Sequence, residues 1–287
     1  PHCEIIQLLH EQGYRDAAQE LYTRGTLKPK ARRDGVGDDF HVYWCTEFVK
    51  RMRREFPDKK IQVGNGSSSS QMIAKLAANG FDLESVDYLG IESKGFSAMP
   101  EFADNRESPG MLWALRETGR KWGYTNFLMN ACNEYVFRPE RDVPRTANAE
   151  WRMRQADYTL RDFLISLAWG CTVISSGHLE DSNTDYYDTN WGAGAHCKFF
   201  PYSYPKRMFP ALATLTKVFD KARFVRTFDT GYNSLYALEF ARDRRKKDYA
   251  YAFWCNKYSA DFALELSEGA HADVVDWQGR RRSAGRT

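Results

Sequence analysis

Residues Thr125–Pro139 read TNFLMNACNEYVFRP. The stretch opens with a short apolar run, Phe127–Met129, and closes on an acid beside an amide, Asn133-Glu134, followed by Tyr135. An apolar run of this length, bounded by polar residues, reads as a buried strand. Side chains alternate along a strand, so Leu128, Asn130, Cys132 and Glu134 are expected to share one face. In a barrel of parallel strands the residues at the C-terminal strand ends carry the chemistry. Glu134 stands where such a carboxylate belongs; the plainer reading is a loop glutamate, solvated or paired with Arg138.

Outward from this strand, the chain alternates helix and strand. Glu4–Arg24 has Ile5, Leu8, Leu9, Ala17, Ala18 and Leu21 at helical spacing, and a polar loop, Lys28–Asp39, separates it from a second helix, Val42–Phe56. Ile61–Val63 reads as a strand running into Gly64-Asn65-Gly66 and four serines. That run lacks the Lys-Ser/Thr of a phosphate loop and the spacing of a dinucleotide fingerprint. It is better read as the loop that starts a helix over Gln71–Asn79, with Asn79-Gly80 as the C-cap. Val86–Ile91 is the next strand, ending in Glu92, Ser93 and Lys94. A helix over Gly110–Trp122 precedes the central strand. Asn148–Trp169 has a buried stripe of Ala156, Leu160, Phe163, Leu164 and Leu167. Cys171–Ser176 is a further strand, and it opens into the acidic, aromatic loop HLEDSNTDYYDTNWGAGAHCKFF. Pro205–Lys221 is the last helix.

The period then changes. Leu235–Phe240, Asp248–Cys255, Asp261–Leu266 and Asp273–Trp277 are short runs between turn residues, and the alternation of Phe262, Leu264 and Leu266 reads as half-buried antiparallel strand. The expected division is residues 1–224 as an α/β unit and 225–287 as a small β domain. Alternating strands and helices imply parallel strands joined by helical crossovers. Four such strands are countable where a closed barrel needs eight, so the α/β part is either an open sheet or the second half of a barrel.

Composition narrows the function classes. Apolar residues make up 43% and aromatics 15% of the 287 residues, enough for a large core. The 41 basic and 38 acidic residues nearly cancel, which gives no argument for nucleic acid. The basic runs Lys50–Arg54 and Arg242–Lys247 read as solvated surface, one on a helix and one in a hairpin turn. Six scattered cysteines have no metal-ligand or redox spacing, so neither a metal nor another cofactor is expected. No run approaches the ~20 apolar residues needed to span a bilayer, and no signal peptide is legible. Pro1-His2-Cys3 leads abruptly into a helix without a Met, the expected signature of a fragment.

Taken in order, these segments resemble the clan A glycoside hydrolases, retaining enzymes on (β/α)8 barrels. VYWCTEFVKRMRREFPDKKIQVG is similar to their fourth helix leading into strand five, VDYLGIESKGF to strand six, and NFLMNACNEYVF to strand seven. YPKRMFPALATLTKVFD is similar to the last barrel helix, and the strands that follow to the β-sandwich that many members append, ending near VVDWQGR. The resemblance implies the second half of a (β/α)8 TIM barrel followed by a small antiparallel β-sandwich. It implies a retaining glycosidase of polysaccharides or oligosaccharides, acting outside the cytoplasm, in the extracellular space or periplasm. The strand-seven glutamate is the family nucleophile, which carries over to Glu134. Strand four ends in Asn-Glu-Pro, and the resemblance identifies Pro1 with that proline. The acid/base is then the residue preceding it. At the end of strand six the family carries His or Tyr where this chain has Glu92-Ser93-Lys94. At the end of strand eight it often carries Trp where this chain has Ser175-Ser176-Gly177-His178.

Such a reaction needs two carboxyl groups about 5–5.5 Å apart and donors or cations that keep the nucleophile ionised. Asn133, Lys94 and His178 are the candidates. Glu92 is a further carboxylate at the strand-six end, with an ion pair to Lys94 as the alternative. Glu180 and Asp181 reach the mouth from the last loop, or are solvated or bind a structural cation. Asp185 and Asp188 read as solvated. Trp191 is a sugar platform or a loop anchor. Asn65 hydrogen-bonds sugar hydroxyls or shapes its turn. His2 borders the site if the Pro1 register holds; His10, His41 and His271 read as structural or exposed. No Gly-x-Ser-x-Gly elbow is present. A non-catalytic carbohydrate-binding protein on the same scaffold is the alternative. A third reading is an open-sheet enzyme with the serine-rich loop on an anion. The expected partner is a carbohydrate, with no nucleic acid or membrane and an oligomeric state that the sequence leaves open.

Overall fold

A computed structural model describes residues 38–57, 64–65, 70–95, 99–102, 110–125, 127–135, 149–174, 197–198, 204–257 and 259–284. The expected helix over Glu4–Arg24 lies outside them. Helix α1 spans Asp38–Glu55 and so begins inside the segment read as a loop. Strand β1 (Gly64–Asn65), helix α2 (Ser70–Ala78), strand β2 (Tyr88–Gly95), helix α3 (Gly110–Lys121), strand β3 (Phe127–Tyr135), helix α4 (Ala149–Ala168) and strand β4 (Cys171–Ile174) follow. The four strands form one parallel sheet in sequential order, β1-β2-β3-β4, with no reversal of strand order. Each strand reaches its neighbour through a helix, the crossover that parallel pairing requires.

Local chemistry ends the helices where the glycines stand. After α2, the Phe81 N–H donates to Leu76 O at 2.9 Å and the Gly80 N–H to Ala77 O at 3.1 Å, with Gly80 at φ +90°. After α3, the Tyr124 N–H donates to Gly119 O at 2.9 Å and the Gly123 N–H to Arg120 O at 3.1 Å, with Gly123 at φ +84°. Both are Schellman caps, whose left-handed residue carries no Cβ penalty when it is glycine.

One core lies between helices α1, α2, α3 and the sheet: Val49, Ile73, Leu76, Phe81, Val86, Leu89, Leu115 and Tyr124, with Cys171 from β4. Tyr124 also donates its hydroxyl to Asp87 O at 3.3 Å, and burial pushes its phenol well above the usual tyrosine range. Arg53 holds the Asp87 carboxylate at 2.7 Å, tying α1 to the start of β2.

A second core joins α4, helix α5 (Met208–Phe219) and a three-stranded antiparallel sheet of β7 (Arg223–Thr227), β8 (Leu235–Asp243) and β9 (Asp248–Cys255). Short pairs β5 (Cys197–Lys198) with β6 (Tyr204–Pro205), and β10 (Asp273–Val275) with β11 (Arg281–Ser283), complete the described elements. Phe240 is wholly buried here, edge-on to Phe219 at 5.1 Å and to Phe224 at 5.7 Å.

Several expectations change. The last helix starts at Met208 rather than Pro205, because Pro205 pairs with Cys197 and its predecessor with Lys198. Asp261–Leu266 forms no strand; its Phe262 instead packs on Phe253 at 5.5 Å and Phe228 at 6.1 Å. Side-chain packing, not a ladder, holds that run. Helix α4 has more than an apolar stripe. Gln155, Thr159, Asp162 and Ser166, spaced four, three and four apart, are buried as well. A helix enclosed by β3, β4, α5 and β7 has little solvent face left for its polar residues.

Candidate functional site

Parallel strands bring their C-terminal ends to one edge of the sheet, and the sequence-derived candidates are to be found there. Glu134 is the penultimate residue of β3, followed by Tyr135. Strand β2 does not stop at Ile91. It continues through Glu92, Ser93 and Lys94 to Gly95, because β3 runs just as far and offers partners: Lys94 is in register with Glu134 and Gly95 with Tyr135.

The pairing is interrupted on the way. Ile91 faces Asn130 and Glu92 faces Ala131, yet Lys94 faces Glu134. Two residues of β2 cover three of β3, so β3 carries a bulge over Cys132-Asn133. The unbroken alternation expected for Leu128, Asn130, Cys132 and Glu134 therefore fails. Without the bulge Glu134 would pair with Gly95. One extra residue re-aims a strand end and strengthens its twist, a device common beside active sites. Backbones in register on adjacent strands lie about 4.8 Å apart, so the chain sets a lysine and a glutamate side by side at this edge.

The other candidates are distributed less closely. Asn133 is within the bulge, next to Glu134. Glu92 is in register with Ala131, lower on the same pair. Asn65 ends β1 in register with Leu89, five positions before Lys94, roughly 16 Å back along the strand by its rise per residue. Its two-residue strand does not bring it level with Glu134. His2, His178, Glu180 and Trp191 lie outside the described residues, as do Pro1, Gly66–Ser69 of the serine-rich loop, and Asp181, Asp185 and Asp188. Among the described residues no cluster of three His, Cys, Asp or Glu is arranged to hold a metal ion, and no helix is long and apolar enough to cross a membrane.

A buried charged node that the sequence reading missed supports the chain beyond β2. Glu101 sits in a 3-10 turn, Pro100–Phe102, and its side chain is fully enclosed. Arg161 of α4 donates to it twice, Nε to Oε1 at 2.7 Å and a terminal nitrogen to Oε2 at 2.6 Å. Trp254 of β9 donates its indole N–H to the same Oε1 at 2.6 Å. Arg161 also pairs with half-exposed Asp157 at 2.6 Å and lies 4.8 Å from the centre of the Tyr158 ring. Burial works against the guanidinium charge, but the hydrogen bonds and charges of Glu101 and Asp157 outweigh it and raise its pKa further. The sequence offers no signal for this node: Arg161 is one of three arginines in α4, and Glu101 and Trp254 stand 60 and 93 positions from it.

No protein-family model matches the chain, and no curated protein matches it. Among solved structures, the fold is similar to that of a family 39 glycoside hydrolase from the gut symbiont Bacteroides cellulosilyticus WH2. The TM-score is 0.57 at 14% identity, over 84% of this chain and 50% of that one. A β-porphyranase of glycoside hydrolase family 86 from the human gut bacterium Bacteroides plebeius aligns at a TM-score of 0.42 and 8% identity, over 71% of this chain and 40% of that one. The chain thus spans half the length, or less, of these neighbours, and the likeness is one of fold: mixed helix and sheet, as in a glycoside hydrolase.

Proposed function

We propose, from a fold similar to that of a family 39 glycoside hydrolase, that this chain is the C-terminal part of a retaining glycosidase barrel and that Glu134 is its nucleophile. The observation that carries the reading is the place of Glu134: one residue from the end of β3, just past a bulge, in register with Lys94. Barrel enzymes keep their chemistry at that end of the strands, and successive strands of a barrel pair in sequential order, as β1 to β4 do.

The reaction is a double displacement. The Glu134 carboxylate attacks the anomeric carbon while a second carboxyl group protonates the leaving glycosidic oxygen; the resemblance puts that group at the position before Pro1. A covalent glycosyl ester forms. The second group, now a base, takes a proton from water, and the water displaces Glu134. Lys94 and Asn133 favour the ionised nucleophile, by charge and by hydrogen bonding respectively. The substrate is a polysaccharide or its oligomers, and the site of action lies outside the cytoplasm.

The test is Glu134→Gln and Glu134→Gly in the protein, assayed on aryl glycosides. Loss of turnover by ~10³-fold or more is expected for both, with sugar binding kept. Azide should restore turnover to the glycine variant alone, because a small anion fits where the carboxylate was. Near-wild-type turnover in the glutamine variant sinks the assignment. A second reading, a non-catalytic carbohydrate binder, is favoured by Glu92 and Lys94 standing where the family carries His or Tyr. Binding of a glycan without any turnover, unchanged by Glu134→Gln, would select it.

A further inference from the structure

We propose that the outer face of the β7-β8-β9 sheet, at its Arg242–Lys247 end, is an ancillary surface that holds an anionic polysaccharide. The inference rests on the glycosidase reading and names the class of polymer that the protein works on.

The register defines the face. Leu238 and Phe240 of β8 point into the core against α4 and α5, so Ala237, Glu239 and Ala241 point the other way. Ala241 lies between Arg223 of β7 and Tyr249 of β9, and Glu239 between Arg226 and Tyr251. One edge is therefore cationic and the other aromatic, and their side chains bury the alanines and the one carboxylate of the strand between them. Glu239 is 7% exposed and accepts from Arg226 Nε at 2.6 Å and from the Tyr251 hydroxyl at 3.5 Å.

The aromatic edge is a row. Tyr249 and Tyr251 have ring centres 6.4 Å apart, and Tyr251 and Phe253 6.3 Å apart with their planes within 17°. Phe253 is covered by Phe262 at 5.5 Å and Tyr251 lies against Phe228 at 6.1 Å, so the ring left for the C–H surface of a sugar at the hairpin end is half-exposed Tyr249. The cationic edge is held in place: Arg226, its side chain 61% exposed, is fixed by Glu239 and lies 4.4 Å from the centre of the Phe228 ring. Exposed Arg223 has no carboxylate partner among the described residues.

The hairpin extends the charge past the end of the sheet. Residues 242–248 hold five cations and two carboxylates. Asp243 is occupied by the backbone N–H groups of Arg245 and Lys246 and by the Lys246 ammonium at 3.5 Å; Asp248 is occupied by Arg242. Arg244, Arg245 and Lys247 are exposed and unpaired among the described residues. This one turn carries a net +3, equal to that of the whole chain, so the charge is local. Clustered cations also attract nucleic-acid phosphates, so duplex DNA is the competing occupant. Local cations beside the half-exposed Tyr249 ring suit carboxylate or sulfate groups on a sugar chain.

The experiment is affinity electrophoresis of the intact protein through gels containing dextran sulfate, polygalacturonate, unmodified dextran or double-stranded DNA. Retardation by at least one of the two anionic glycans is expected, at an apparent Kd about tenfold or more below that for dextran, and the better of the two identifies sulfate or carboxylate as the group held. A triple variant, Arg223→Ala with Arg244→Ala and Arg245→Ala, should lose about tenfold, and Tyr249→Ser a smaller but measurable part; these residues are exposed or half-exposed, so Tm should stay unchanged. Unchanged retardation of the triple variant overturns the proposal. So does DNA binding as tight as glycan binding and indifferent to Tyr249→Ser, which would make the patch a general polycation. If the triple variant is retained like wild type while hydrolysis depends on Glu134, this surface fails and the glycosidase reading stands. If retention depends on the patch while Glu134→Gln hydrolyses normally, the reverse holds.

Discussion

The Trp254 indole nitrogen lies 2.6 Å from Glu101 Oε1, a hydrogen bond between residues 153 positions apart. It ties the antiparallel sheet to the turn that follows β2, and Arg161 ties both to α4. Glu101 and Arg161 are 0% and 6% exposed at their side chains, so neither charge reaches water. Removing one partner from a buried pair strands the other, at a cost of about 3–5 kcal/mol, whereas removing both for apolar groups of like volume is often neutral. Glu101→Leu alone should therefore lower urea stability by that amount, and Glu101→Leu with Arg161→Met should recover most of it. A double variant as unstable as the single one would mean that the charge pair is not what the node contributes.

Lys94 gains its importance from register. It pairs with Glu134 because of the bulge over Cys132-Asn133. Lys94→Met keeps the length of the side chain and removes the charge. On the proposed mechanism kcat/KM should fall at least about tenfold, equivalent to about 1.4 kcal/mol of transition-state stabilisation, with the unfolding midpoint unchanged. Lys94→Arg should retain more activity than Lys94→Met. Equal kinetics for wild type and Lys94→Met would remove Lys94 from the site.

Lys221 connects α5 to β7 at φ +57°. A left-handed conformation costs a non-glycine residue roughly 1–2 kcal/mol, and a β-branched one more. Glycine relieves that strain but loses more freedom on folding, by up to about 1 kcal/mol. Lys221→Gly should thus be neutral to slightly stabilising in thermal unfolding, and Lys221→Val destabilising by about 1 kcal/mol or more. A valine variant as stable as the glycine one would contradict this backbone geometry.

Local chemistry made much of the α/β part legible. The Asn79-Gly80 pair marked the end of α2 to within a residue or two, because a left-handed cap is a property of the few residues that form it. The strand runs around Leu89 and Leu128 were legible for the same reason: apolar runs of that length are buried wherever they fall. The last segments were less so. Phe262, Leu264 and Leu266 alternate as a strand would, yet alternation reports only that one side is buried, and packing on Phe253 and Phe228 satisfies it without a ladder.

By itself the sequence determined the order and kind of the elements from α1 to β4, the parallel pairing that short helical crossovers impose, and the arrival of Asn133-Glu134 at a strand end. These follow from spacings of a few residues. The tertiary structure alone decided the rest. The bulge that sets Glu134 beside Lys94 is a mismatch between two strands, invisible in either one. The burial of Gln155, Thr159, Asp162 and Ser166 arises because α4 is enclosed on several sides. The Glu101–Arg161–Trp254 node joins residues with no local signal for one another. Contacts of that kind depend on where distant segments meet, and a pattern read over one or two helical turns does not contain that distance.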